Sequence, residues 1–383
     1  MPEPSLSRVV QLTPPGRGAI ASLLVEGPDA AELVESGFVA AGGRPLVSYP
    51  LGRIVFGRFS VECHPGEDVV ACRRSEHSIE LHCHGGQAAV GRVREWLARR
   101  GARVVAWHDW VAGQHADPIA RAARLALADA RTERTAAILL DQYHGALGRA
   151  AEAVCDSLTA GNAPTAAEQL RDLLARAELG RHLVRPWRVI LAGAPNVGKS
   201  SLINTLVGYP RAIVHAAAGT TRDLVSATTA IEGWPIELSD TAGLRHSEHA
   251  VERAAIERAQ RELASADLVL LVFDASRPWS QADRTLWESQ PGAIVVYNKC
   301  DLPRPPDPPD APGLLTSALT GEGVERLARA IARRLVPDPP PLGAAVPFAD
   351  DQRAVLDDAL AAISRGDSPA ALAALAGLAR LVE

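Results

Sequence analysis

The sequence predicts a doubly wound α/β domain that is inserted in an α-helical domain and preceded by a small α+β domain. Three observations support this prediction. Up to residue 112, short β-branched segments alternate with turn signals and two helical stretches. Apolar residues then recur at helical spacing, and they do so again towards the C-terminus. Between these helical regions, residues 186–336 alternate strand-like and helical segments, which is typical of a parallel sheet covered by helices.

Changes in composition set the domain boundaries. We assign residues 1–112 to the α+β domain, 113–185 and 345–383 to the helical domain, 186–336 to the α/β domain and 337–344 to a stiff proline-rich linker. Because each helix carries one apolar stripe, the C-terminal segment is expected to pack on the earlier helices.

Local signals mark individual elements. In the α+β domain we expect a helix over Gln87–Arg99, which ends before Gly101. Asp117-Pro118 is a helix cap with proline at the first helical position. Thr165-Ala-Ala-Glu168 resembles a capping box that starts a helix ending near Gly180. In the α/β domain the expected strands are Arg188–Leu191, Ile236–Ser239, Leu268–Phe273, Ile294–Tyr297 and Leu314–Thr316.

The composition excludes several classes of protein. The net charge of −5 argues against strong non-specific binding of nucleic acid. No apolar run reaches the roughly 18 residues that a membrane helix needs, and the N-terminus lacks a secretory signal. Five cysteines, an odd number in a long chain, indicate a reducing compartment. We therefore expect a cytoplasmic protein without a membrane partner.

Lysine occurs at only two of the 383 positions, whereas arginine supplies the other 38 basic residues. Lys199 lies in Gly193-Ala-Pro-Asn-Val-Gly-Lys199-Ser200, which follows an apolar strand and opens a helix, as a phosphate loop requires. Backbone N–H groups and the helix N-terminus are expected to bind the β-phosphate. Lys199 would neutralise phosphate oxygens, and the Ser200 hydroxyl would bind magnesium.

Further motifs follow in the order that a GTPase needs. Gly219-Thr-Thr-Arg-Asp223 offers Thr221 to the magnesium ion, and Asp240-Thr-Ala-Gly243 places a carboxylate near the metal and an N–H near the γ-phosphate. The second lysine lies in Asn298-Lys299-Cys300-Asp301, whose carboxylate can accept two hydrogen bonds that guanine donates and adenine cannot. Thr316-Ser317-Ala318 would close over the base. The predicted fold of residues 186–336 is therefore an α/β P-loop GTPase domain.

The complete set of predicted nucleotide-binding residues comes from these motifs. They are Asn196, Val197, Gly198, Lys199, Ser200, Ser201, Gly219, Thr220, Thr221, Asp240, Thr241, Ala242, Gly243, Asn298, Lys299, Asp301, Ser317 and Ala318.

The residue that orients the attacking water is less evident. Leu244 occupies the position at which Ras-like enzymes have a glutamine, and an aliphatic side chain cannot orient water. Asn196 and Glu252 are the candidates, although spacing alone also fits Glu252 on a solvated helix face.

At this point the chain resembles the MnmE (TrmE) family of tRNA-modification GTPases. Leu12-Thr-Pro-Pro-Gly-Arg-Gly-Ala19 is similar to the N-terminal signature of the family, and Glu80-Leu-His-Cys-His-Gly-Gly86 to its second signature. Pro195–Asn204, Gly219–Asp223 and Asp240–Arg245 are close to its GTPase motifs. The resemblance extends over most of residues 8–335.

The resemblance implies a potassium-activated GTPase that forms a homodimer and acts on the wobble uridine of tRNA together with an MnmG-like flavoprotein. It implies Lys199, Thr221 and Glu252 as catalytic residues, with Glu252 orienting water. Magnesium would be bound by Ser200, Thr221 and Asp240. The implied potassium ligands are Asn196, Thr220 and the backbone carbonyls of His215 and Ala217.

The chain also departs from the family pattern. The final residues, Ala376–Glu383, lack the terminal Cys-x-Gly-Lys motif, where x is Ile, Leu or Val. In the folate-binding region, Leu24 replaces an arginine, and a threonine-glycine-glutamate-aspartate motif is reduced to Arg74-Ser-Glu-His77. Ala106-Trp-His-Asp109 replaces a proline-glycine-glutamate segment. Of the expected folate contacts only Glu76 is kept, and these departures argue against folate as a cofactor of this chain.

Two other functions are compatible with these observations. A paralogue could keep the dimeric GTPase switch, lose the tRNA chemistry, and act in assembly or regulation. A ribosome-assembly GTPase of the Era or Der type fits less well, because the sequence has neither the C-terminal RNA module with a Gly-x-x-Gly loop that Era-like proteins carry nor the second GTPase domain of Der-like ones.

Overall fold

The computed structural model describes residues 7–16, 18–60, 66–114, 117–208, 226–240, 261, 263–305 and 311–379. The chain divides into two compact units, Met1–Ala116 and Asp117–Glu383.

The first unit is built on a seven-stranded sheet with the strand order β3-β4-β5-β6-β2-β1-β7. Its strands are β1 (Arg8–Gln11), β2 (Ile20–Glu26), β3 (Phe38–Ala40), β4 (Ile54–Phe59), β5 (Glu67–Ser75), β6 (Ser78–His84) and β7 (Arg103–Val105). All neighbours are antiparallel except β1 and β7. Alternate residues of β4 are buried, as expected for a sheet with one face on the core.

Helices cover the inner face of this sheet. They are α1 (Ala30–Glu35) and α2 (Gln87–Arg99), with a 3₁₀ turn at Leu46–Ser48. A third helix, α3 (Trp107–Ala112), follows β7, and its Trp110 Nε1 donates to the Glu26 carboxylate of β2 at 2.8 Å. The predicted helix over Gln87–Arg99 is confirmed, and its Val93 and Leu97 are buried against Leu23 and Leu81 of the sheet core.

The second unit contains a six-stranded sheet with the order β13-β12-β11-β8-β10-β9. Its strands are β8 (Trp187–Ala192), β9 (Ser226–Ile231), β10 (Trp234–Asp240), β11 (Leu268–Asp274), β12 (Ile294–Asn298) and β13 (Leu314–Leu315). Helices α8 (Lys199–Val207), α9 (Gln281–Glu288) and α10 (Val324–Leu335) accompany it. The five predicted strands are confirmed, with shifts of one or two residues at their ends.

The predicted parallel pairing is confirmed except at one edge, where the sheet has an additional antiparallel strand. Strand β9 pairs antiparallel with β10 through a tight turn at Glu232 and Gly233, whose φ angles are 50° and 80°. The sequence analysis missed this strand because its Ser-Ala-Thr-Thr stretch lacks the apolar run of the central strands. In contrast, β11 is apolar along almost its whole length because it is buried on both faces.

Six helices of the second unit share one hydrophobic core. They are α4 (Pro118–Asp129), α5 (Glu133–Tyr143), α6 (Ala146–Thr159), α7 (Ala163–Arg181), α11 (Asp350–Ser364) and α12 (Ser368–Ala379). Leu147, Leu170, Leu356 and Leu375, which come from both sides of the α/β segment, are all fully buried in it.

Capping follows the predictions in one place and departs from them in another. Asp117 accepts hydrogen bonds from the backbone N–H groups of Ile119 and Ala120, which confirms the predicted cap of α4. The predicted capping box at Thr165 was wrong. Helix α7 begins earlier, at Ala163, because the Asn162 side chain already accepts the bond from the Thr165 N–H.

Candidate functional site

The phosphate loop connects β8 to α8, and two of its glycines are required by close packing. Gly198 has a φ of 95°, and a Cβ atom there would lie 2.3 Å from Nδ2 of Asn298. A Cβ atom on Gly193 would lie 2.2 Å from the carbonyl oxygen of Val272. Asn196 also has a positive φ of 64°. The glycines therefore let the loop approach the neighbouring strands β11 and β12 closely.

Lys199 lies inside this loop. Its side chain is only 4% exposed, and its Nζ donates to the carbonyl oxygens of Gly193 and Ala194, both at 3.1 Å. Nζ is also 3.7 Å from Oδ1 of Asp240. A buried ammonium at the N-terminus of a helix provides the concentrated positive charge that a phosphate group needs.

The two described residues predicted to bind magnesium are in direct contact. Ser200 Oγ donates to Oδ2 of Asp240 at 2.8 Å. This contact arises because β8 and β10 are adjacent and parallel, so that the residues following one strand meet the last residue of the other. A hydroxyl and a carboxylate are oxygen ligands of the kind that magnesium prefers. The third predicted ligand, Thr221, lies outside the described residues.

Asn298, the last residue of β12, links two loops at what we expect to be the base end of the site. Its Nδ2 donates to the carbonyl oxygen of Val197 at 2.9 Å, and its Oδ1 accepts from the backbone N–H of Ala318 at 3.0 Å. The residue is 1% exposed. Asn298 therefore fixes the phosphate loop and the Ser317-Ala318 loop relative to β12, because its one buried amide forms a hydrogen bond with the backbone of each loop. Asp301, the predicted reader of guanine, is exposed beyond this link.

The second lysine is held by a carboxylate that sequence reasoning missed. Lys299 Nζ donates to Oδ2 of Asp274 at 2.7 Å, and Ser276 donates to Oδ1 of the same carboxylate. Burial raises the pKa of Asp274, but the hydrogen bonds from Lys299 and Ser276 outweigh burial and leave the pKa below its ordinary value. The only signal in the sequence was an aspartate at the end of an apolar strand.

Comparisons with known proteins agree with this geometry. Residues 188–299 match the family described as 50S ribosome-binding GTPase. The tRNA modification GTPase MnmE of Geobacillus kaustophilus is 31% identical over 84% of this chain and 80% of its own length. The protein of the same name from Chloroflexus aurantiacus is 33% identical over 85% and 80%, respectively. This chain belongs to the MnmE family. It is accordingly a GTPase with a P-loop nucleotide domain.

A solved structure is also similar to part of this MnmE-family chain. The G domain of the T. maritima FeoB iron transporter is 28% identical and covers 39% of this chain and 99% of its own length, with a TM-score of 0.28.

Part of the MnmE-type site lies outside the described residues. This part comprises the predicted residues Gly219, Thr220, Thr221, Thr241, Ala242, Gly243 and Glu252, together with the potassium-ligand positions His215 and Ala217. Among the residues that the structure does describe, Lys199, Ser200, Asp240, Asn298 and Ala318 are brought to one edge of the sheet by the contacts above.

The residues that the sequence analysis compared with a folate-binding region lie in the N-terminal unit. Leu24, at the position of the family arginine, is 5% exposed and lies opposite Glu80 on the neighbouring strand. Glu80 accepts instead from Nη2 of Arg74 at 2.7 Å. Glu76, the retained folate position, is exposed in the turn between β5 and β6. No helix in the described ranges is both long and apolar enough to cross a bilayer.

Proposed function

We propose that this chain is a potassium-activated, dimerising GTPase of the MnmE type that takes part in the modification of the wobble uridine of tRNA. The observation that carries the proposal is the cluster of Lys199, Ser200 and Asp240, with Ser200 Oγ 2.8 Å from the Asp240 carboxylate, in a member of this family. The cluster has the charges and the oxygen ligands that a nucleoside triphosphate and its metal need.

We assign roles to the described residues as follows. Lys199 binds phosphate oxygens of GTP and stabilises the negative charge that develops there. Ser200 and Asp240 hold magnesium, together with Thr221; bound magnesium would neutralise charge on the phosphate groups. At the base end Asn298 orders the pocket, Asp301 recognises guanine, and Ser317 and Ala318 close over the base.

The hydrolytic machinery includes residues beyond those that the structure describes. Leu244 cannot orient water, so we assign that role to Glu252, in line with the family resemblance. Asn196, Thr220 and the carbonyl groups of His215 and Ala217 would hold potassium, which would supply the charge of an arginine finger when two nucleotide domains meet. The left-handed φ of 64° at Asn196 fits a residue with a specific functional orientation.

The domain arrangement is part of the proposal. We infer that residues 186–336 are inserted between two halves of a helical domain, 113–185 and 345–383, through the linker 337–344. The support is the core that α4–α7 share with α11 and α12. A second support is Gly180 of α7, where a Cβ atom would lie 1.7 Å from the carbonyl oxygen of Pro347. The C-terminal segment therefore packs tightly on the earlier helices.

A nucleoside analysis tests the tRNA part of this proposal. In a strain deleted for the gene, mass spectrometry of tRNA should show unmodified wobble uridine, and the wild-type chain should restore the modification. The Lys199→Ala variant should fail to restore it, whereas Arg329→Ala, which changes an exposed helix position, should succeed. Unchanged nucleosides in the deleted strain would exclude a role in tRNA modification.

The second candidate is a paralogue that keeps the GTPase switch and has lost the modifying chemistry. The buried Leu24 opposite Glu80 favours it, because leucine offers no guanidinium to a folate carboxylate and the nearby Arg74 is already paired with Glu80. Calorimetric titration with 5-formyltetrahydrofolate should then give no binding heat, while GDP binds to the same preparation. Saturable binding of the folate would count against this candidate.

A further inference from the structure

Asp274 is a buried carboxylate at the end of β11 that the roles assigned above do not use. Its side chain is 8% exposed. Oδ2 accepts from Lys299 Nζ at 2.7 Å, while Oδ1 accepts from the backbone N–H of Ser276 at 3.0 Å and from its Oγ at 2.6 Å. Both oxygens of the carboxylate are therefore engaged, and each has a different partner.

The sheet places this carboxylate beside the base end of the site. Strands β11 and β12 are parallel neighbours, and Asp274 lies directly opposite Asn298. The N–H of Ala275 donates to the carbonyl oxygen of Asn298 at 2.7 Å, which fixes the two strand ends relative to each other. Lys299 follows immediately, so its ammonium group reaches Asp274 across this short distance.

Two features show that Lys299 is held in one orientation. Its backbone has a φ of 65°, in the left-handed region that non-glycine residues seldom adopt. Its ammonium group is paired with a carboxylate whose own orientation Ser276 fixes. Arg277 also approaches Oδ2, but at 3.8 Å and with a side chain that is 78% exposed, so it is a weak competitor.

We propose that Asp274 is a positioning residue of the guanine-nucleotide pocket, which acts through Lys299 and raises the affinity for GDP and GTP. A lysine side chain is a flexible four-carbon stem. Contact with a bound nucleotide normally restricts rotation about its bonds, which costs conformational entropy of the side chain. A lysine that Asp274 already orders loses less freedom on binding. The inference rests on the proposed function, because that function assigns Asn298 and Asp301 to the base end of the pocket and Lys299 lies between them in the chain.

A double-mutant cycle on GDP affinity tests the inference. The four proteins are the wild type, Asp274→Asn, Lys299→Met and the double variant, and the probe is fluorescently labelled GDP. Asparagine keeps an acceptor for Ser276 and removes the charge. We expect Asp274→Asn to weaken GDP binding about tenfold in the wild-type background and no more than about twofold when Lys299 is absent.

The kinetics of GTP hydrolysis provide a readout that a merely structural role would not give. Asp274→Asn should raise KM about tenfold and change kcat by less than about twofold, because the residue lies away from the phosphates. Asp283→Asn removes a carboxylate from the exposed cap of α9 in the same domain and should leave both constants unchanged.

Several outcomes would overturn the inference. Equal weakening of GDP binding in both backgrounds would mean that Asp274 acts independently of Lys299. A fall in kcat at constant KM would contradict a positioning role in binding. If Asp274→Asn does not fold, Ser276→Ala should weaken GDP binding about threefold, again only with Lys299 present, and no change would overturn the inference. Failure of the wild type to bind GDP would instead refute the proposed function.

Discussion

The two sheets of this protein place their candidate functional residues in different ways. In the nucleotide domain, Asp240 and Asn298 end parallel strands, and the phosphate loop follows a third parallel strand, so all of them meet at one edge. In the N-terminal sheet, Leu24 and Glu80 lie within antiparallel strands and face each other across the sheet surface. Parallel strands thus gather residues that are distant in sequence, whereas antiparallel strands bring together side chains that lie opposite each other on one face.

The strongest test of this contrast is Lys199→Ala. Removal of the buried ammonium group from the phosphate loop should lower kcat/KM for GTP hydrolysis by about 100-fold or more, because a charge-assisted contact with phosphate is lost. The measurement is phosphate release at several GTP concentrations. Arg329→Ala, on an exposed helix face, serves as the control and should retain full activity. A loss of less than threefold in Lys199→Ala would remove the phosphate loop from the mechanism.

Asp301→Asn tests the base end of the same edge. An amide can donate a hydrogen bond where the carboxylate only accepts, so the preference should change from GTP towards XTP by about 100-fold or more. Competition of both nucleotides against labelled GDP measures this preference. Unaltered selectivity would show that a residue other than Asp301 reads the base.

Two glycine variants test the N-terminal unit, where we expect substitutions to change the stability of the fold and not the rate of GTP hydrolysis. A Cβ atom on Gly85 would lie 2.2 Å from the backbone oxygen of Gly18, so Gly85→Ala should destabilise the protein by about 1–3 kcal/mol. Gly91 in α2 has no neighbouring atom within 4 Å, and Gly91→Ala should stabilise the protein by about 0.5–1 kcal/mol. Urea unfolding gives both values. GTP hydrolysis should be unaffected in either variant, and a selective loss of hydrolysis in Gly85→Ala would contradict the contrast between the sheets.

The smallest expected effect concerns the pH dependence of stability. Since the folded pKa of Asp274 is lowered, its ionised form stabilises the fold above the pKa of the unfolded chain, and this contribution is lost as the pH falls through the folded pKa. The difference in urea midpoint between the wild type and Asp274→Asn should therefore be constant from about pH 7 to pH 5 and shrink below about pH 4. A difference that grows on acidification would contradict the assigned direction.

Much of the fold could be predicted from the sequence because its signals are local. The apolar run of β11 and the stripe on α2 are such signals, and the structure confirms both elements. Strand β9 could not be predicted, because an edge strand has little apolar surface to bury. The start of α7 was misplaced because Asn162 and Thr165 are both good caps, and only the backbone geometry decides between them.

The candidate site was predictable to the extent that it depends on residues at strand ends. Ser200 and Asp240 were both identified, and the structure places them in contact. Asp274 was missed because its partner, Lys299, lies 25 positions further along the chain, and their proximity depends on β11 and β12 being neighbours. Sheet order is a tertiary property that single-sequence patterns do not contain.

The scarcity of lysine has a practical consequence for chemical work on this protein. Lys199 and Lys299 carry the only side-chain primary amines of the chain, and their side chains are 4% and 30% exposed. Lysine-specific proteases can therefore cleave only after these two residues, which lie in the proposed guanine-nucleotide pocket. Amine-acylating reagents can modify the same two side chains and the α-amino group. Lys299 should react first, and protection of either amine by GDP would report occupancy of the pocket without any engineered label.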